Sequence, residues 1–184
     1  MRVIAGAYKG RALKSVPGTN TRPTSDKIKE SAFHQLGPFF EGGNCLDLFA
    51  GSGALGIEAM SRGMEKVVFV ERSASAIRVI RKNVAKLEME EKCEIYRNDA
   101  FRALKILAKR KVPFDLVILD PPYGQKEYNK LMEQIDLLDL VRPNGLLYLE
   151  HSPKMDILPP ANFKTISEKT YNATTSITIV KNII

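Results

Sequence analysis

Cys45-Leu46-Asp47-Leu48-Phe49-Ala50-Gly51-Ser52-Gly53-Ala54-Leu55-Gly56 is the stretch that decides how this chain folds. The run from Cys45 to Phe49 is mostly apolar and reads as a strand entering a turn of small residues. A short helix follows, and Gly63 is placed to end it. Gly51, Gly53 and Gly56 fit G-x-G-x-x-G, with the strand before and the helix after that the motif requires. Such a turn lets a ligand lie against bare backbone and aims helix N–H groups at it. Three glycines after a strand also make an ordinary turn, so the rest of the chain must say whether a nucleotide-like ligand is bound, and which.

Outward from that turn the pattern alternates. Val67 to Glu71 reads as a strand, Ala74 to Leu87 as a helix with Ile77, Ile80, Val84 and Leu87 on one face, and Cys93 to Tyr96 as a strand. Phe101, Leu104 and Leu107 mark the next helix, and Phe114 to Leu119 the next strand. Tyr128, Leu131, Met132, Ile135 and Leu138 mark a further helix, and Gly145 to Glu150 a fifth core strand. Strand–helix alternation with apolar strands predicts a parallel sheet covered on both faces. Right-handed crossovers make it doubly wound. Phe163 to Tyr171 and Thr174 to Lys181 break the rule, because they read as two strands joined at Asn172-Ala173 with no helix between them. The expected architecture is α/β and Rossmann-like: a mostly parallel seven-stranded sheet with an antiparallel C-terminal hairpin.

The N-terminal part differs in character. Arg2 to Ala5 and Arg11 to Val16 read as a small β-hairpin around Gly6, Lys9 and Gly10, and 17–23 as a Pro/Gly/Asn/Thr linker. Thr24 or Ser25 can cap a helix running to about Leu36, which Gly37-Pro38 ends. This divides the chain into a basic hairpin arm, 1–23, and one main domain, 24–184. The formal net charge is +7, from 28 basic and 21 acidic residues. Arg2, Lys9, Arg11, Lys14 and Arg22 lie within residues 1–25 beside no acid, so +5 of it is concentrated there. Localised positive charge of this kind suits a polyanion such as nucleic acid, although a solvated basic face would look the same.

Composition excludes several classes. At 44% hydrophobic and 27% charged the 184 residues are ordinary globular material. A chain of this length buries roughly 70% of its unfolded surface. Cys45 and Cys93 form no C-x-x-C pair and read as reduced core thiols, which fits a reducing cytoplasm. No apolar run reaches the ~18 residues of a membrane span, and Met1 to Gly10 lacks the apolar core of a signal peptide. No membrane partner is expected. His, Cys and acidic residues are nowhere spaced as metal ligands, so no metal is expected either. His34 and His151 read as a helix and a loop residue without catalytic duty.

In open α/β sheets the ligand lies beyond the carboxyl ends of the strands, so the polar residues there carry the information. The first strand ends near Asp47 and the glycine turn. The second ends at Glu71, 20 residues after Gly51, where an acid can accept hydrogen bonds from both hydroxyls of a ribose. The third ends at Asn98-Asp99-Ala100; Asp99 alone could equally be a helix cap. The fourth ends at Asp120-Pro121-Pro122-Tyr123. Two prolines after a strand make a turn, but a turn needs neither the acid at the end of a buried strand nor the aromatic.

Asp120 to Tyr123 resembles the D/N/S-P-P-Y/F/W motif of amino methyltransferases, which methylate an exocyclic amine with S-adenosylmethionine. Such an amine is a poor nucleophile, because its lone pair is delocalised into the ring. The Asp120 carboxylate and the Pro121 carbonyl can each accept one of its hydrogens, Pro121 and Pro122 stiffen the frame, and Tyr123 can stack on a base turned out of its helix. Arg2 to Gly6, Gly10-Arg11, Arg22 to Ser25 and Glu30 to Phe33 are similar to the start of the bacterial 16S ribosomal RNA guanine-N2 methyltransferase family. His34 stands where that family has Asn, a surface change, and 152–184 carry no motif. The resemblance implies that the chain is an enzyme making N2-methylguanine, with 16S ribosomal RNA as its partner in a small-subunit particle or assembly intermediate. It implies a cofactor site of Thr24, Asp47, Phe49, Ala50, Gly51, Ser52, Gly53, Gly56, Glu71, Arg72, Asp99 and Ala100. Glu71 would hold the ribose, Asp99 the adenine amine, and the glycine turn the methionine part.

Three other readings use the same residues. A DNA adenine-N6 or cytosine-N4 methyltransferase shares the motif but needs a target-recognition domain for which little chain remains. A nicotinamide-dependent oxidoreductase shares the glycine turn and leaves Asp120 to Tyr123 unexplained. A catalytically idle RNA-binding protein leaves the strand-end acids unexplained.

Overall fold

A computed structural model describes residues 1–18, 24–122 and 124–184. The helices are α1 (Asp26–Leu36), α2 (Ala54–Ser61), α3 (Ala74–Lys86), α4 (Ala100–Ala108) and α5 (Gln125–Leu137). The strands are β1 (Asn44–Asp47), β2 (Lys66–Glu71), β3 (Cys93–Arg97), β4 (Phe114–Leu119), β5 (Val141–His151), β6 (Phe163–Thr170) and β7 (Ser176–Asn182). They form one sheet in the order β3-β2-β1-β4-β5-β7-β6. β1 to β5 pair in parallel, while β7 runs antiparallel to both β5 and β6. The chain reverses its direction of travel across the sheet between β1 and β4, which leaves a crevice at their carboxyl ends.

The period-two alternation of the strands sorts their side chains into two cores. Cys45, Val67, Phe69, Leu116 and Ile118 face one side, under α1, α2 and α3. Leu46, Val68, Val70, Val117 and Leu119 face the other, under α4 and α5. Ser25, rather than Thr24, caps α1, its hydroxyl accepting from the Ile28 N–H at 3.3 Å. Cys45 is buried and Cys93 half-buried, and both are free thiols. Burial pushes both thiols up, Cys93 to about 12.

Several boundaries move for local reasons. β1 stops at Asp47, two residues before the expected end, because the backbone beyond it bends into the turn. β5 starts at Val141 and carries Pro143 and Asn144, whose φ of 65° reads as a turn; a register irregularity against β4 absorbs them. The N-terminal hairpin forms with a single antiparallel bridge, Arg2 to Ala12, flanked by Val3 N–H to Arg11 O at 3.0 Å and Leu13 N–H to Met1 O at 2.9 Å. Three further donors go to helices: Ile4 and Ala5 N–H to the Glu58 carboxylate at 3.0 and 3.1 Å, and Lys14 N–H to Asn83 Oδ1 at 2.8 Å. Val3 and Leu13 are buried in the α1–α3 core. Gly6 lies so close to α2 that a Cβ there would stand 1.8 Å from the Ser61 carbonyl oxygen. Residues 1–18 are therefore packed on the main core rather than loose beside it. Among the described residues no helix is long and apolar enough to cross a membrane.

Candidate active site

The crevice is a cavity of about 610 Å³, within the size range of small-molecule sites. Phe49, Ala50, Gly51, Ser52, Glu71 and Arg72 line it, as do Asp99, Ala100, Asp120, Pro121, Pro122 and Thr24. Four strand ends and the start of α1 thus bring together most of the residues singled out by the sequence. At Gly51 (φ 55°) a Cβ would meet nothing within 4 Å, so the turn presents bare backbone to open space.

Asp47, Gly53 and Gly56 do not line the cavity. They build the turn from behind. Asp47 Oδ2 accepts the Gly56 N–H at 2.9 Å and so satisfies one donor of the first turn of α2. A Cβ on Gly56 would reach to 2.4 Å from the Phe69 ring, so only glycine lets α2 sit this close to β2. Gly53 holds φ 83° at the start of α2. Burial pushes the Asp47 carboxyl up to about 7; the Gly56 N–H works against this, and the Glu71 charge adds to it.

Glu71 is held by its own surroundings. Oε2 accepts from Gly51 N–H at 2.8 Å, and Oε1 from Arg72 N–H at 2.7 Å and Ser73 N–H at 2.9 Å. A carboxylate has about four acceptor sites, so while the turn keeps this form one remains for a ligand, not the two that gripping both hydroxyls of a ribose would take. Asp99 is both helix cap and cavity wall: Oδ1 accepts the Arg102 N–H at 3.1 Å at the start of α4.

Asp120 follows β4 and opens onto the cavity. Among the described residues no hydrogen bond holds its carboxylate. Its residue is exposed at the cavity, yet the protein packed around the carboxyl raises its pKa well above the usual carboxylate value, and the negative charges of Glu150 and Asp47 add to that. Tyr123 and Arg22 lie outside the described residues. The side chains of Arg2, Lys9, Arg11 and Lys14 are on the exposed surface of the N-terminal segment. Arg2 pairs with Asp26 at 3.0 Å, and Arg11 donates to the Lys86 carbonyl at 3.2 Å.

The cavity also contains residues that sequence reasoning passed over: Met1, Val16, Lys29 and Arg97 among them. Lys29 had a signal, since it shares a helical face with Ala32, Phe33 and Leu36, and a lysine on an apolar stripe needs a partner. It is 1% exposed, donates to the Arg2 carbonyl at 2.7 Å, and lies 3.5 Å from Glu58. Burial lowers its pKa, against the pull of Glu58. His34 is exposed on α1. His151 is the buried last residue of β5, not a loop residue, its Nε2 2.8 Å from the Thr178 hydroxyl.

Strand order, the antiparallel pair at the sheet's end and a ligand-sized cavity at the carboxyl edge define a Rossmann-like methyltransferase fold. A solved structure called "Putative methyltransferase yhhF from Escherichia coli" superposes with a TM-score of 0.87, covering 100% of this chain and 98% of that one at 28% identity. The chain belongs to the family described as "Conserved hypothetical protein 95", which matches residues 1–180. It is 44% identical over 181 residues to "Putative rRNA methyltransferase YlbH" of Bacillus subtilis (strain 168), covering 98% of each. It is 36% identical over 174 residues to "Ribosomal RNA small subunit methyltransferase D" of Haemophilus influenzae, covering 92% of this chain and 88% of that one.

Proposed function

We propose that this chain transfers a methyl group from S-adenosylmethionine to the exocyclic N2 amine of a guanine in 16S ribosomal RNA. One observation carries the reading: Asp120-Pro121 faces the same 610 Å³ cavity as the bare Gly51 turn, Glu71 and Asp99. The names of the relatives supply the substrate class, small-subunit ribosomal RNA, free or within an assembling particle.

The lining suits such a donor. Gly51 and Ser52 offer backbone to its methionine part, Glu71 has an acceptor site left for a ribose hydroxyl, and Asp99 and Ala100 flank the adenine. Phe49, Ala50, Arg72 and Thr24 complete the wall. The bound donor supplies an electrophilic methyl group and departs as a neutral thioether. The protein's own work is on the amine. The Asp120 carboxylate and the Pro121 carbonyl each accept one amine hydrogen, which turns the nitrogen lone pair out of conjugation and toward the methyl carbon. Tyr123 stacks on the base. The exposed Arg2, Lys9, Arg11 and Lys14 side chains, with Arg22, contact RNA phosphates.

Incubating the protein with labelled S-adenosylmethionine and 16S RNA, assembled small subunits or DNA tests the reading. Label should appear as N2-methylguanine in RNA and not in DNA. Asp120→Ala should cut transfer by at least roughly a hundredfold, the scale of one lost preorganised group, while cofactor affinity stays near that of the parent. A variant that keeps its turnover would make Asp120 a strand terminus and nothing more.

A further inference from the structure

Glu150 has no part in the mechanism above, yet it sits beside the reacting group. Leu119 of β4 is paired with Leu149 of β5, so Asp120 and Glu150 come next on adjacent parallel strands. The Tyr128 hydroxyl contacts both Leu119 O at 3.2 Å and Glu150 O at 3.1 Å, which ties the two strand ends together. Glu150 Oε2 accepts from Tyr148 OH and from Thr24 Oγ1, each at 2.9 Å. Thr24 lines the cavity and leads into α1. Glu150 itself is half-buried and does not line the cavity. A strand needs no acid there, and two carboxylates side by side cost stability.

We propose that Glu150 is a positioning residue of this site: gripped by Thr24 and Tyr148, it holds a second carboxyl group beside Asp120 so that Asp120 can take up the proton the guanine amine sheds. The inference rests on the preceding reading of Asp120. When the N2 lone pair bonds the methyl carbon, the carbon–sulfur electron pair stays on sulfur and the nitrogen becomes cationic. The N–H bond then breaks, its electrons remain on nitrogen, and the proton passes to the Asp120 carboxylate and later to water. A carboxylate with an ordinary proton affinity is a weak acceptor near neutrality, and efficiency follows the match of its pKa to the working pH. The groups facing Asp120 are Glu150, Asp47, Tyr128 and Tyr148; Glu150 is the first of the charges that raise its proton affinity. Burial raises the Glu150 pKa as well, and the Thr24 and Tyr148 hydroxyls and the neighbouring His151 work against that rise.

The test uses Glu150→Gln, whose side-chain oxygen can still accept from Thr24 and Tyr148. The Asp120 carboxyl is followed by carbon-13 NMR titration, assigned through Asp120→Asn, beside the pH dependence of methyl transfer to small-subunit RNA. Removing the neighbouring negative charge should lower the Asp120 midpoint by about one unit, the usual spread that surroundings impose. The acid limb of kcat should move down by the same amount, with a lower plateau. The melting temperature and S-adenosylhomocysteine affinity should stay put, and Glu150→Asp should restore the parent midpoint. An Asp120 midpoint unmoved in Glu150→Gln overturns the inference, as does a loss confined to melting temperature or cofactor affinity. A parent protein that transfers no methyl group to any RNA overturns the reading of the site instead.

Discussion

Asp47 is a carboxylic acid in the core with a single backbone N–H to steady it. Burial pushes its folded carboxyl up to about 7 against 3.8 ordinarily. The sign follows from proton counting. Between those values the folded chain holds a proton that the unfolded chain has released, so the stability it contributes falls as pH rises through roughly 4 to 7. Asn at this position keeps the acceptor for Gly56 and has no charge to bury. Asp47→Asn should therefore gain on the parent as pH rises from 4 to 8, by up to about 4 kcal/mol. Denaturant unfolding of both proteins across that range measures it, and a constant difference would show Asp47 ionised throughout. The same scale explains what the sequence could reveal. Glu71 and Asp120 were legible because each ends an apolar run at the site's edge of the sheet, and Asp99 because it follows the strand of that same edge. Glu150 ends an apolar run too, but what it does comes from Thr24, 126 residues away.

At the scale of elements, the N-terminal segment and α2 are joined by one buried acid. Glu58 is 0% exposed, accepts two N–H groups of the segment, pairs with Arg62 at 2.9 Å and faces Lys29 at 3.5 Å. Glu58→Ala leaves both cations buried without their counter-charge and should cost about 3–5 kcal/mol in unfolding free energy. A loss under 1 kcal/mol by urea titration would mean that the segment docks through Val3 and Leu13 alone. This packing also dictates how RNA contact is tested. Cutting the segment away would damage the core, whereas its basic side chains are exposed. Replacing Arg2, Lys9, Arg11 and Lys14 by Gln should flatten the salt dependence of RNA binding by up to about 3 units, at roughly 0.7–0.9 per phosphate contact. Melting temperature should change little. An unchanged slope with folding intact would return those charges to water.

For the whole molecule the cavity and the sheet are one object, since the strand ends that line the first complete the second. Ligand that binds only the folded chain raises its stability by mass action. S-adenosylhomocysteine at a hundredfold excess over Kd should add about 2.7 kcal/mol. That corresponds to about 5–11 °C in Tm for a chain of this size. Nicotinamide dinucleotide should add nothing, which separates the methyltransferase reading from the oxidoreductase that shares the glycine turn. Calorimetric melting with each ligand decides between them, and a shift with the dinucleotide alone would reverse the assignment.

The sequence alone determined the layering, the parallel run of the first five strands and the odd antiparallel end. These follow from local periodicity: apolar runs of strand length, helical stripes between them, and no room for a helix before the last strand. It also determined which edge of the sheet carries the site, because acids and glycines gather after strands and not before them. Only the tertiary structure decided which of those residues face the cavity. Asp47, Gly53 and Gly56 belong to the same motif as Gly51 yet support it from behind, a distinction of one side of a turn from the other that spacing does not encode. It also decided that the basic segment is docked by Glu58 and Asn83, and that Glu150 lies beside Asp120. Such pairings depend on the register of distant strands and on burial, and both exist only once the chain has closed on itself.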